Sequence, residues 1–423
     1  MPSSRSTTRV VFFTGKGGVG KTTTAAATAA LAARRGKRTL VLSADPAHSL
    51  GDVLGVRLGA EPRTAGARGA APLEAVEVDP RAEMERHWGS IRDYLTALFR
   101  HQGIEAVVAD ELALLPGAEE MAALLAVEQH AGSGAYDLIV VDCAPTGATL
   151  RLVTLPEVAT RGLRVVLRLQ RAFAASITPL ARAVLPVPLP DAGVFRELEA
   201  LLYERLATIR ARLLDPLTTI RLVATPERMV IDEAVRAHTD LCLFELGCDA
   251  LVMNRLLPPE AAAEPGFADW ARVHAERLAE VEELFPGLPV LRAPLAPDEV
   301  VGVDALAAHG AALYGAPAAP GGTPGAREGS CGGDPAARLA DPPRLRFARR
   351  ADAQGAFAVE LPLPNARREE LDVAKLDDAL LVRAGALRRA IPLPRRLARL
   401  SLASARLDAG RLVVRLAPAA EGA

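Results

Sequence analysis

The sequence predicts an α/β fold, a mostly parallel, doubly wound sheet carrying an inserted helical subdomain, with a separate all-β sandwich domain at its C-terminal end. Three observations predict it. Short apolar runs alternate with helical pattern over most of the 423 residues, the alternation expected of a parallel sheet covered on both faces. The first of these runs leads into a glycine-rich loop and then a helix. Late in the chain, a Gly/Pro/Ala stretch without periodicity gives way to short alternating runs at hairpin spacing.

The first strand is Arg9-Val10-Val11-Phe12-Phe13-Thr14, and the helix after the loop runs from Thr22 to Ala33, with Gly36 placed to end it. Between them lies Gly15-Lys16-Gly17-Gly18-Val19-Gly20-Lys21-Thr22, the spacing of a P-loop NTPase. Successive backbone N–H groups at a helix N-terminus face a polyphosphate there. Lys21 is expected to reach the β- and γ-phosphates, and the Thr22 hydroxyl to bind Mg²⁺. Gly15 through Thr23, Val19 included, form the expected ATP-binding loop. Composition reinforces the reading: the chain has four lysines, Lys16, Lys21, Lys37 and Lys375, and two of them sit in this loop. A compact ammonium fits there and a planar guanidinium does not.

Further strands are expected at Arg38 to Ser43, Asp137 to Asp142, Thr219 to Thr225, Ala250 to Asn254 and Leu288 to Arg292. Asp45 follows the second strand at the carboxyl edge of the sheet, where open α/β sheets bind ligands. A carboxylate there can hold the attacking water and join the metal shell. Asp142 ends its strand at the same edge and is expected in the Mg²⁺ shell, followed by a switch loop, Ala144-Pro145-Thr146-Gly147. Two helical blocks, about 80–132 and 156–216, are longer than crossovers require and are read as a subdomain. The domain reading is therefore 1–315 for the nucleotide domain, 316–342 for a linker and 343–418 for the β-sandwich.

Net charge is −1, which gives no global pull toward nucleic acid or an anionic membrane. The tail from Arg344 onward is basic, but its aromatics are limited to Phe347 and Phe357, so no stacking platform for nucleic acid is expected. Neither a signal-type apolar region nor a run of about 18 apolar residues occurs, and a cytoplasmic protein without direct membrane insertion is expected. Cys143, Cys242, Cys248 and Cys331 form no C-x-x-C pair. Cys242 and Cys248 are expected on one helix, about 240° apart around its axis.

The two-lysine loop, Ser43-Ala44-Asp45-Pro46-Ala47-His48-Ser49-Leu50, Asp142 to Gly147, Pro226-Glu227-Arg228-Met229 and Val252-Met253-Asn254-Arg255 together resemble the family of ArsA arsenite-pump ATPases and guided-entry ATPases for tail-anchored membrane proteins. The resemblance runs from about Arg9 to Tyr314. It implies that Lys16 crosses a homodimer interface to the partner's nucleotide, that Asn254 reads adenine, and that Pro294-Leu295 begins the loop that closes over the base. It also implies that the helical blocks form a hydrophobic groove for a client protein, such as a membrane-protein segment. The zinc clamp of eukaryotic members needs a C-x-x-C that this chain lacks, so no shared zinc is expected. The tail, through Phe357 to Leu363, Ile391-Pro392-Leu393-Pro394 and Gly410 to Val414, resembles an α-crystallin, or small heat-shock protein, domain.

The leading functional expectation is a homodimeric Mg²⁺-dependent ATPase that opens and closes a hydrophobic surface for its client. The alternative is the ATPase subunit of an arsenite/antimonite efflux pump. A MinD-like membrane-surface ATPase is a third reading, opposed by the β-patterned terminus.

Overall fold

The structure is a computed structural model that describes residues 7–45, 49–66, 71–80, 82–83, 118–143, 205–315, 333–348, 350, 352 and 355–418. The nucleotide domain comprises β1 (Arg9–Thr14), α1 (Lys21–Arg34), β2 (Thr39–Ser43), α2 (Leu50–Leu54), β3 (Arg63–Gly66), β4 (Leu73–Glu77), α3 (Ala118–Gly132), β5 (Leu138–Asp142), α4 (Leu206–Leu213), β6 (Thr218–Ala224), α5 (Arg228–Leu243), β7 (Cys248–Leu256), α6 (Ala268–Leu284), β8 (Val290–Pro294) and α7 (Val303–Tyr314). Eight strands form one sheet in the order β3-β4-β2-β5-β1-β6-β7-β8. Every neighbouring pair is parallel except β3 with β4.

β1, β2, β5 and β6 are buried along their whole length, as expected of strands with helices on both faces. The chain passes from β1 to β2 and later inserts β5 between them. As a result Asp142 lies opposite both Phe13 and Ser43 in register. The carboxyl ends of β1, β2 and β5 thus converge at one crevice, the position where such sheets bind ligands. Helix α1 is largely alanine and lies close to its neighbours. A Cβ added at Gly310 of α7 would come 2.5 Å from the Ala27 carbonyl oxygen, and the Thr28 hydroxyl is 2.8 Å from the Tyr314 hydroxyl.

Three features depart from the sequence reading. Strands β3 and β4 were not expected: Arg63–Gly66 is short and half exposed, and Leu73–Glu77 carries two glutamates, so neither shows a long apolar run. Cys248 does not share a helix with Cys242; α5 ends at Leu243 and Cys248 opens β7. Finally, the described part of the expected linker, residues 333–342, packs across the amino edge of the sheet. Most of both helical blocks, 84–117 and 144–204, lies outside the described residues.

That last segment, continued to residue 345, is a strap held by buried charge. Arg221 in β6 and Asp249 in β7 are fully buried, and Arg9 at the start of β1 is nearly so. Asp249 accepts from Arg9 Nη2 at 2.8 Å and from Arg221 Nε at 3.1 Å. Arg221 also donates to the carbonyls of Pro335 and Ala337 at 2.9 and 2.8 Å, and Arg9 to that of Ala336 at 3.1 Å. The Leu339 N–H returns to Asp249 at 3.3 Å. Burying such charges is tolerable only because every donor and acceptor finds a partner.

The C-terminal domain contains β9 (Arg346–Phe347), β10 (Phe357–Pro362), β11 (Leu371–Lys375), β12 (Ala379–Ala384), β13 (Leu387–Pro392), β14 (Ser401–Asp408) and β15 (Arg411–Ala417). They form two antiparallel sheets, β14-β15-β10-β9 and β11-β12-β13. Alternate residues point inward: Leu412, Val414 and Leu416 of β15 are buried with Val359, Leu361 and Ile391. The domain sits on the end of α5, where buried Arg389 donates to the Leu243 carbonyl at 2.7 Å and to Glu245 at 2.6 Å. Among the described residues no helix is long and apolar enough to cross a membrane.

Candidate nucleotide site

Two glycines of the loop after β1, Gly15 and Gly20, stand where no other residue fits. At Gly15, φ is +156° and an added Cβ would lie 2.2 Å from the Val223 carbonyl oxygen of β6. At Gly20, φ is +88° and a Cβ would lie 2.4 Å from Asn254 Nδ2. Gly17 and Gly18 are exposed, with open space where a Cβ would be, so a ligand can approach the backbone there. Helix α1 begins at Lys21 with no side-chain cap and no acidic residue in its first turn. Its leading N–H groups are thereby left for an anion.

Lys21 is buried, and its ammonium donates to the Lys16 carbonyl at 3.3 Å, which folds the side chain back over the loop. Lys16 is half-buried, and among the described residues its side chain makes no ion pair. The Thr22 hydroxyl lies 3.3 Å from that of Ser49, the residue that precedes α2. Asp142 is fully buried, and among the described residues neither carboxylate oxygen has a partner in full hydrogen-bond geometry, the Thr22 hydroxyl being the side chain drawn toward it. Burial pushes its carboxyl up to about 7, with Thr22 and Lys21 pulling it down and Asp45 adding to the rise. An orphaned buried carboxylate is costly unless something binds it. Thr22, Asp45 and Asp142 together offer hard oxygen donors, and this donor set fits Mg²⁺.

A cavity of about 760 Å³ opens beside the loop, at the carboxyl ends of β7 and β8, within the usual size range for a small-molecule pocket. Its lining includes Gly20, Thr23, Asn254, Arg255, Pro294 and Leu295. The structure therefore brings Asn254, Pro294 and Leu295 together next to the phosphate loop. Asn254 is held firmly: Nδ2 donates to the Val19 carbonyl at 2.8 Å, and Oδ1 accepts from the Arg255 N–H at 2.9 Å. One amide hydrogen and one lone pair remain for a ligand. Pro46, Ala47 and His48, like the loop Ala144 to Gly147, lie outside the described residues.

Sequence reasoning missed two neighbours. Ser49 was read only as part of a motif, although its place at the head of α2 brings it to Thr22. Arg255, likewise read only as part of a motif, adopts φ +58° directly after Asn254 where the register of β7 shifts, and no glycine or asparagine at that position marks the irregularity.

Comparison with known proteins decides the family. The model of the ArsA anion-transporting ATPases matches residues 8–315. The chain belongs to that family. The model of the HSP20-like domain found in ArsA matches residues 354–416, so the family's tail domain is present as well. A relative in Chlorobaculum tepidum, provisionally named an arsenical pump-driving ATPase, is 35% identical over 91% of this chain and 90% of its own length. One in Aquifex aeolicus with a similar name is 31% identical over 96% of this chain and 99% of its own. ATPase get3 of Aspergillus terreus is 32% identical over 72% of this chain and 89% of its own. As a member of the ArsA family the chain binds ATP and is an ATP hydrolase.

Proposed function

We propose that the chain works as a homodimeric, Mg²⁺-dependent ATPase whose nucleotide cycle opens and closes a hydrophobic helical surface for a client protein. The observation that carries this reading is the second lysine of the loop. Lys21 is folded back onto the loop, whereas Lys16 sits at its rim with no ion pair among the described residues. Lys16 is thus the cation available to a neighbouring subunit's nucleotide. The apolar helical pattern of 80–132 and 156–216, longer than the sheet needs, supports the client surface.

In this reading the N–H groups from Gly15 to Thr23 cradle the phosphates, and Lys21 neutralises the β- and γ-oxygens. Asp45 orients the attacking water. Thr22, Asp45 and Asp142 hold the Mg²⁺, which when bound supplies positive charge to the β- and γ-phosphate oxygens. Asn254 reads the adenine, and Pro294-Leu295 closes over it. Lys16 contributes the charge that stabilises the transition state in trans, worth about 10³–10⁵ in rate for groups of this kind.

The alternative, an ATPase subunit energising an arsenite/antimonite efflux pump, is favoured by the names of the relatives that span nearly the whole chain. Against it, Cys242 and Cys248 are buried with thiols raised by burial, and no metal-binding group of three His, Cys, Asp or Glu occurs among the described residues. The test compares wild type with Lys16→Ala in the presence of a non-hydrolysable ATP analogue and Mg²⁺. Wild type is expected to dimerise, and the variant to bind the analogue yet hydrolyse ATP about 10³-fold more slowly. A wild-type monomer with bound analogue, or normal turnover by the variant, rules the dimer reading out. Stimulation by arsenite that Cys→Ser variants abolish moves the assignment to the pump.

A further inference from the structure

At the opposite edge of the sheet from the ATP site, a second cavity of about 550 Å³ lies between the nucleotide domain and the tail domain. Helix α5, the start of β7, the strap and the β14–β15 turn bound it. His238 and Cys242 line it on the α5 side, Leu288 and several prolines form apolar walls, and Arg344, Arg346 and Arg411 face it from the strap and the tail. Cavities between domains are a common place for small-molecule sites.

Its polar groups are one-sided. Cys242 Sγ lies 3.7 Å from His238 Nε2. Burial lifts the thiol to about 12 and lowers His238 to about 4, so the thiol keeps its proton and the imidazole is neutral. The thiol and Nε2 share one hydrogen bond in which either can donate. Nδ1 is buried and has no hydrogen-bond partner among the described residues. Among the described residues Arg344, Arg346 and Arg411 make no ion pair, while Asp341, the carboxylate of the lining, is bonded by Arg338 at 2.5 Å. The cavity therefore presents positive charge around an apolar body.

We propose that this cavity binds a small organic oxyanion, phosphate- or carboxylate-bearing, with Arg344, Arg346 and Arg411 on its charge and the His238 ring in its wall. Guanidinium forks match both headgroups, and the proline and leucine walls call for a carbon body rather than a bare ion. Because its lining comes from both domains, a ligand here would bridge them.

The experiment uses the full chain saturated with ADP and Mg²⁺, which occupies the phosphate loop. Calorimetric titrations with phenyl phosphate, benzoate and benzyl alcohol separate the two headgroups from a neutral body of the same shape. At least one anion is expected to bind tenfold or more tighter than the alcohol, and the headgroup that does so identifies the source. An Arg346→Gln/Arg411→Gln variant, changed only at exposed positions, should weaken that anion by about tenfold or more while binding ADP as wild type does. The His238 ring signals in ¹⁵N-histidine spectra should move on titration. Equal affinity for anion and alcohol, no binding, unchanged affinity in the double variant, or an unmoved His238 signal overturns the proposal.

Discussion

Asn254 and Gly20 depend on each other more tightly than either motif suggests. The glycine leaves room for an amide that ties the Val19 carbonyl to the end of β7. Gly20→Ala forces a Cβ into that amide at a left-handed backbone position, which alone costs about 1–2 kcal/mol. ATP affinity is expected to fall at least tenfold by equilibrium binding. If the collision is the cause, adding Asn254→Ala should recover part of the lost thermal stability while leaving nucleotide affinity low; additive losses would reject the coupling. The glycine spacing was readable in the sequence because it sets backbone conformation locally. The Val19–Asn254 bond was not, since it joins residues far apart in the chain through one backbone carbonyl. Ser49 beside Thr22 was hidden for the same reason.

At the scale of elements, the central strands were legible because burial on both faces leaves continuous apolar runs, and the carboxyl-edge positions of Asp45 and Asp142 followed from them. The edge pair β3 and β4 was not, because β3 is half exposed and ends in glycine, and β4, although largely buried, carries two glutamates in five residues. The strap was misread for a sharper reason: Pro335, Ala336 and Ala337 contribute carbonyl oxygens, which any residue has. Its signal lay in the partners instead, in the arginine inside the apolar run Thr218–Ala224. Asp249→Ala removes the shared acceptor and leaves two buried guanidinium groups uncompensated. A loss of about 3–5 kcal/mol is expected in denaturant unfolding. His238 gives a pH signature on α5. Its folded-state value near 4 lies below the ordinary 6.5, so its contribution is complete above pH 6.5 and is lost as pH falls toward 4. The stability of wild type relative to His238→Phe should decline across that window; a pH-independent difference would refute buried neutral histidine.

For the whole molecule, the strap makes the two domains one mechanical body at the amino edge of the sheet. Cutting after Tyr314 removes Arg221's carbonyl partners and the Leu339 N–H that completes Asp249. A chain ending at residue 315 is therefore expected to melt well below one ending at residue 345, although the second adds no complete domain. Equal melting temperatures would show that the strap merely rests on the sheet. Arg389 and Leu345 fix the tail to Glu245 at the end of α5, so the small heat-shock-like sandwich is held against the nucleotide domain rather than hung from a free tether.

The strap also sets a clock for biosynthesis. Domains usually fold in order as the chain leaves the ribosome, yet Arg9, Arg221 and Asp249 emerge long before Pro335 to Leu339. Until those residues follow, the nascent sheet buries Arg221 and Asp249 short of hydrogen-bond partners, so the nucleotide domain reaches its full stability only when the segment that announces the next domain arrives.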